Sequence, residues 1–487
     1  SNFKVLIFIK MINNNFKKIE KIKINILFLS IFIFISCSSS LNYSGLFTSN
    51  YIKKNIESLI GDIDKNASIG IKIVSLKSKK ILFEKNSEKL LIPASNTKLL
   101  TYASVIELLN LNYNFKTIIQ SYDQNIILTG SGDPTLNSED LDSLAKIISL
   151  SFPKIDTLFI NTKKMDDLEY GKGWMWDEGS EEYSAPVNTF IVNKNCITFD
   201  YSSDIIGKPA RVKYSPHSDQ IIIMNRSITV DDTTDFLKFK IERDWVRQTN
   251  KFEVSGEILI NSPNDTLTKN IHNPNLFNAN LFVSHLSLHG ASVNNIVFTK
   301  IFYQPYDTLT IHESKKIDII GQKMMNESDN QIAEVFLKTL GFELQNEGSS
   351  ANGIRILKTF LFNKANIDTN FLRLADGSGL SRYNLLSVDQ IISLLVYMNE
   401  SQYDEQFKNS LPFGGKKRSQ LENRLVNSGG RIRAKTGSLS GVSALSGYIE
   451  SKIHGPIAFS IIINGFSGSS DSYRKLQDDI CEFLVLN

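Results

Sequence analysis

Cysteine is scarce, with three in 487 residues. Cys37, Cys196 and Cys481 are too few for a disulfide framework, even in an oxidising compartment. Cys481 falls in a terminal amphipathic pattern with Leu476, Ile480, Phe483 and Leu484 and reads as a small core residue. Histidine is sparse too, with six. His285 and His289 stand four apart, as zinc ligands can, but the glutamate of the zinc-protease motif is missing and no third ligand is evident. They read as structural, and neither a metal nor a cofactor is implied. Excess charge of one sign is also lacking: residues 1–36 hold six lysines and one glutamate, and the rest carries 48 basic residues against 50 acidic ones. A chain so balanced offers no polyanion surface, and nucleic acid is not an expected partner. No internal repeat is present, and the apolar run at 24–36 is short for a membrane span.

That run suits an export signal instead, because Lys17, Lys18, Lys21 and Lys23 precede it and Met11 stands where such a signal would start. It ends in Phe34-Ile35-Ser36-Cys37, which resembles a bacterial lipobox whose cysteine becomes the lipid-bearing terminus. A simple signal peptide with Cys37 incidental is the other reading. We expect a lipoprotein-type signal at 1–36 and a polar, Ser-rich tether at 37–50, with the protein exported and lipid-anchored at Cys37 in the cell envelope.

The remaining length exceeds what one core usually supports. Helical patterns at about 55–63 and 99–110 flank strands at 67–75 and 80–84. Strand-like segments with turn signals follow, among them 196–201, 220–224, 236–242 and 252–260. Helical periodicity returns at 276–289 and continues through 315–325, 329–340, 352–362 and 387–399. Strands at 431–436, 442–450 and 457–465 precede a last helix from Ser472. This order predicts an α+β catalytic domain over 51–117 and 285–487, split by a strand-rich inserted region at 118–284 of one or two subdomains. Trp174 and Trp176 read as core or docking residues rather than a cofactor box.

Three short motifs carry the chemistry. Ser95 and Lys98 sit at the start of a helix with an apolar stripe, three residues apart, so hydroxyl and amine share one face. Alone this means little, because Ser-x-x-Lys recurs at Ser143, Ser151 and Ser472. Ser328-Asp329-Asn330 stands between two helical patterns; in extended chain Ser328 and Asn330 would face one way and Asp329 the other, while the plainer reading is a helix-capping serine. Lys435-Thr436-Gly437 lies on a strand, where alternation puts Lys435 and Gly437 on one face and the glycine admits a close backbone neighbour.

In this order the three motifs resemble the signature of penicillin-binding proteins and serine β-lactamases. They are most similar to the low-molecular-mass class C type, the D-alanyl-D-alanine carboxypeptidase/endopeptidase (DacB) family. That family has a large insertion between the first two motifs, and here Ser95 and Ser328 are 233 positions apart. The segments 91–98, 130–136, 376–381 and 433–439 share the likeness, which runs from about residue 50 to the end. The resemblance implies a penicillin-binding, β-lactamase-like domain (an antiparallel sheet with helices) and attack of Ser95 on the terminal D-alanyl-D-alanine bond of peptidoglycan stem peptides. It implies Lys98 as base, Ser328 as proton relay and Asn330 on the substrate amide. Lys435, Thr436, Gly437 and Ser438 would bind the terminal carboxylate and complete the oxyanion site, and β-lactams would inhibit. A serine β-lactamase is a weaker alternative, because no glutamate occurs in 352–370, where class A enzymes carry their deacylating one. A non-catalytic peptidoglycan-binding lipoprotein is a further alternative, opposed by the intact motifs.

Overall fold

The computed structural model describes residues 50–61, 63, 65–232, 237–301 and 306–487. The expected export signal at 1–36, Cys37 and the tether to residue 49 lie outside the described residues, as does residue 236 of an expected strand. The chain divides into two units after Asp62. Of the first, the described part is a helix over 50–61.

The second unit is built on a five-stranded antiparallel sheet ordered Ile432–Leu439, Val442–Ser451, Gly455–Asn464, Ser68–Ser75, Ile81–Lys85. Strands from opposite ends of the sequence therefore lie side by side, with Ser68 facing Asn464. In Val442–Ser451 both faces are buried. The reason is cover on both sides: the helix Asp471–Leu486 packs on this strand, and Val388–Glu400 packs on Ser68–Ser75 and Gly455–Asn464. The latter opens with the capping box expected from Ser387 and Gln390.

The helix Thr97–Leu109 is buried around nearly its whole circumference, not along one stripe as its pattern suggested. It is the central helix of the layer, enclosed by helices Ile317–Glu327, Asn330–Gln345, Ser350–Asn363 and Val388–Glu400. Leu99, Tyr102, Ala103 and Ile106 join Phe336, Leu340, Leu357, Leu395 and Met398 in one core that reaches Ile462 of the sheet.

A second core belongs to the inserted region. Its five-stranded mixed sheet is ordered Ser292–Thr299, Lys154–Asn161, Asn125–Thr129, Asn114–Tyr122, Asp307–Lys316. Asn125–Thr129 and Lys154–Asn161 are parallel. Parallel neighbours need a crossover, supplied by the helix Ser138–Ser149. That helix and Pro274–Leu288 bury Leu141, Leu144, Ile148, Phe277, Phe282 and Leu286 against the sheet. Three small sheets complete it, one of them formed by Asp265–Asn270, Cys196–Ser202 and Arg211–Ser215. The fold is thus the expected α+β arrangement interrupted by a strand-rich insertion. The limits expected at 118 and 284 do not coincide with its sheet: one strand starts at Asn114, and two more follow residue 284. His285 Nδ1 and His289 Nε2 both lie beside Asp142 Oδ1, at 3.1 and 2.9 Å, joining the two helices of this layer.

Candidate active site

Ser95 stands in the 3₁₀ turn Ala94–Asn96 that opens the central helix. Ala94 is held in the left-handed region, with φ 46°. Two glycines let other chain segments close on this turn. A Cβ at Gly379 would meet the Ala94 carbonyl oxygen at 1.9 Å, and one at Gly437 would meet the Pro93 oxygen at 2.8 Å. The Lys435 strand is tied to the same turn, as Asn96 Nδ2 donates to the Lys435 carbonyl at 3.0 Å.

Lys98 is fully buried, and its amine has three neighbours: Ser95 Oγ at 3.1 Å, Asn330 Oδ1 at 2.6 Å and the Ser378 carbonyl at 2.7 Å. The Asn330 amide orientation is fixed, because its Nδ2 donates to the Tyr183 carbonyl at 2.9 Å. Asn330 Oδ1 and the Ser378 carbonyl can only accept. A neutral amine has two hydrogens and one lone pair. With the hydrogens committed to those two oxygens, the lone pair is left for the Ser95 hydroxyl. Burial lowers the Lys98 pKa to about 8, although Asp376, Asp329 and Glu334 pull it back upward.

Lys435 is also fully buried and donates to Ser328 Oγ at 2.9 Å and to the Thr436 carbonyl at 3.0 Å. Burial, then the charge of Lys98, holds its pKa well below the usual lysine value. Ser95, Ser328, Asn330, Thr436 and Ser438 line one cleft of about 900 Å³. Gly437 faces the Pro93–Ala94 backbone behind it.

The middle motif meets the others by a different backbone path from the extended one. Ser328 is left-handed, with φ 62° and ψ 36°, after the helix Ile317–Glu327. Asp329, not Ser328, caps the next helix, accepting from Ile332 N at 2.9 Å. Asp329 also pairs with Lys194 of the inserted region at 2.7 Å. Burial alone would raise the Asp329 pKa, but Lys194 and the capping bond outweigh it and hold it low.

Two carboxylates behind the cleft carried no expectation. Glu334 Oε1 accepts from the backbone N–H groups of Gly377 and Ser378, at 2.9 and 2.8 Å, and thereby fixes the carbonyl that Lys98 uses. Asp376 accepts from Gly379 N, Ser381 N, Ser378 Oγ and Trp174 Nε1, each within 2.9 Å. The signal for Glu334 was slight: an acid one turn after Asn330, on the same face of the helix Asn330–Gln345. Trp174 is a docking residue, as expected.

A serine beside one buried lysine, sharing its cleft with a second serine that a second buried lysine holds, at the edge of an antiparallel sheet sheathed in helices, defines the class: a penicillin-binding serine peptidase. The chain belongs to the D-Ala-D-Ala carboxypeptidase 3 (S13) family, whose model matches residues 52–484. It is 28% identical over 450 residues to a D-alanyl-D-alanine carboxypeptidase of Actinomadura sp. (strain R39), covering 86% of this chain and 81% of that one. It is 25% identical over 442 residues to D-alanyl-D-alanine carboxypeptidase DacB of Haemophilus influenzae, covering 86% and 90%. The crystal structure of penicillin binding protein 4 (dacB) from Haemophilus influenzae superposes with a TM-score of 0.78 at 22% identity, over 89% of this chain and 100% of that one. The family and the enzyme class implied by the motifs therefore hold: this is a serine-type D-alanyl-D-alanine carboxypeptidase.

Proposed function

We propose that the enzyme trims or cleaves peptidoglycan stem peptides at their D-alanyl-D-alanine end through an acyl-serine intermediate. The observation that carries this is the convergence of three distant motifs, with Lys98 Nζ 3.1 Å from Ser95 Oγ and Lys435 Nζ 2.9 Å from Ser328 Oγ. In this reading the Ser95 Oγ–H proton passes to Lys98 as oxygen attacks the penultimate carbonyl. The C–N bond breaks as the proton taken up by Lys98 is relayed through the Ser328 hydroxyl to the departing D-alanine amine, and water then hydrolyses the ester. Asn330 holds the substrate amide. Lys435, Thr436 and Ser438 bind the terminal carboxylate, and Gly437 keeps their strand against the serine turn. The N–H groups of Ser95 and Ser438 stabilise the oxyanion, each worth about 10²- to 10³-fold in rate.

A β-lactam presents a strained amide beside a carboxylate and acylates the same serine. A solved relative, penicillin binding protein 4 (dacB) from Haemophilus influenzae, is described in complex with a β-lactam. Fluorescent penicillin should label the protein and leave Ser95→Ala dark, and a pentapeptide ending in D-alanyl-D-alanine should release D-alanine. Labelling of Ser95→Ala would reject the nucleophile. A hydrolysed antibiotic with an untouched peptide would favour the β-lactamase reading.

The substrate sets the location at the cell envelope. Among the described residues no helix is long and apolar enough to cross a membrane. Attachment is assigned to a lipid on Cys37, so Cys37→Ala should move the protein from membrane to soluble fractions; unchanged fractionation would reject the anchor. We further take the inserted region as 114–316, the span of its sheet, with the catalytic residues on either side of it.

A further inference from the structure

Trp176 is 78% exposed, unusual for so large a ring. It is nonetheless held. It opens the short turn Trp176–Glu178, and its ring lies 5.1 Å from that of Trp245, tilted by 50°. Trp245 in turn rests on the backbone of Gly179, where a Cβ would come within 3.1 Å of the indole nitrogen. Gly179 has φ 63°, so its bare backbone is needed on both counts. Two separate segments of the inserted region thus bring two rings together, Trp176 exposed and Trp245 half-buried beneath it.

The platform continues the rim of the catalytic cleft. Met175 and Asp177, the neighbours of Trp176 on either side, line that cleft together with Tyr183. Met175 and Tyr183 are themselves 48% and 47% exposed. Charged residues flank the rings in sequence, Asp177 and Glu178 beside one and Asp244 and Arg247 beside the other. Two rings with a charged border are small for a protein partner, since stable interfaces bury about 800 Å² on each side.

We propose that Trp176 and Trp245 form a sugar-binding platform for the N-acetylated hexose rings of the glycan strand that carries the stem peptide. This rests on the substrate reading above. A stem peptide reaching Ser95 brings its glycan to the rim of the cleft. A pyranose ring offers an apolar C–H face that fits an indole face, as apolar and aromatic groups pack on π-systems generally. Its hydroxyl and amide N–H groups find acceptors in the adjoining carboxylates of Asp177 and Glu178.

The test uses the full chain with Ser95→Ala and a peptide-free glycan of alternating N-acetylglucosamine and N-acetylmuramic acid, titrated by calorimetry. Trp176→Ala in that background should weaken binding by about threefold to tenfold, the range of one aromatic contact. Trp176→Phe should restore most of it. In the active enzyme, Trp176→Ala should raise KM for a glycan-linked pentapeptide relative to KM for the same pentapeptide without sugar, with kcat held. Unchanged glycan affinity, or equal KM changes for the two substrates, overturns the proposal. So does self-association abolished by Trp176→Ala, which would assign the rings to a second copy. If neither peptide is cut while Trp176-dependent glycan binding persists, the peptidase reading fails and the platform stands.

Discussion

An amine that takes a proton from serine must meet it with a free lone pair, and the Lys98 surroundings supply that condition. At pH 7.5 an amine of pKa about 8 is roughly one-quarter free base, against about one-thousandth at the ordinary 10.5. Acylation by a penicillin should therefore rise with pH through about 8, and at pH 6 should fall about 100-fold below its plateau. Glu334 modulates this limb. Burial and the charge of Asp376 push its pKa up to about 8, so it gains negative charge over the same range and draws the Lys98 pKa upward. Glu334→Gln keeps an acceptor for Gly377 and Ser378 and removes that charge. The limb should then begin at lower pH in stopped-flow acylation between pH 6 and 9.5; a limb that stays in place contradicts the coupling. Ser95, Lys98 and Lys435 were legible through the likeness of three motifs, taken in order, to the penicillin-binding signature, since Ser-x-x-Lys by itself recurs at Ser143, Ser151 and Ser472. The sequence did not disclose the third partner of Lys98, because a backbone carbonyl such as that of Ser378 has no residue-type signature.

At the scale of elements, the inserted region supports the Ser328 loop directly. Lys194, with its side chain 23% exposed, faces Asp329, 6% exposed. Removing one partner of such a pair strands a buried charge, typically costing about 3–5 kcal/mol. Lys194→Met should lower unfolding free energy by about 3 kcal/mol and slow acylation. Adding Asp329→Asn, which still caps the helix, should recover most of the stability in urea titrations. A double variant no more stable than the single one contradicts the pairing. The contribution is present above the unfolded carboxylate range and lost as pH falls through the lowered Asp329 pKa. The Ser328 turn was misjudged from sequence because a non-glycine left-handed residue is uncommon and has no strong pattern. The helix Ser138–Ser149 went unread although Asn137 and Asp140 form a capping box. Turn-rich surroundings hid an ordinary signal.

Across the whole molecule, the inserted region leaves and returns at one doorway, where Ile317 N donates to the Tyr113 carbonyl at 2.9 Å. A short glycine-serine bridge between residues 113 and 317 can replace it geometrically. The shortened protein loses the Tyr183 carbonyl and Lys194 and also Phe115, Met165, Val187 and Ile191 from the catalytic core, so it should unfold at lower urea and acylate at least about tenfold more slowly. Penicillin labelling at the full rate would show that the insertion does not shape the site. The presence of an insertion was legible from the spacing of the motifs. The strands Asn114–Tyr122 and Asp307–Lys316, which pair with each other, went unread.

The partnership of Ser68 with Asn464 spans nearly the full polypeptide. Such a seam closes only after its second half has emerged, and pairing over that separation is slow. The pocket consequently stays unassembled while the chain is being made, and a half-finished copy has no working hydrolase to turn on its surroundings.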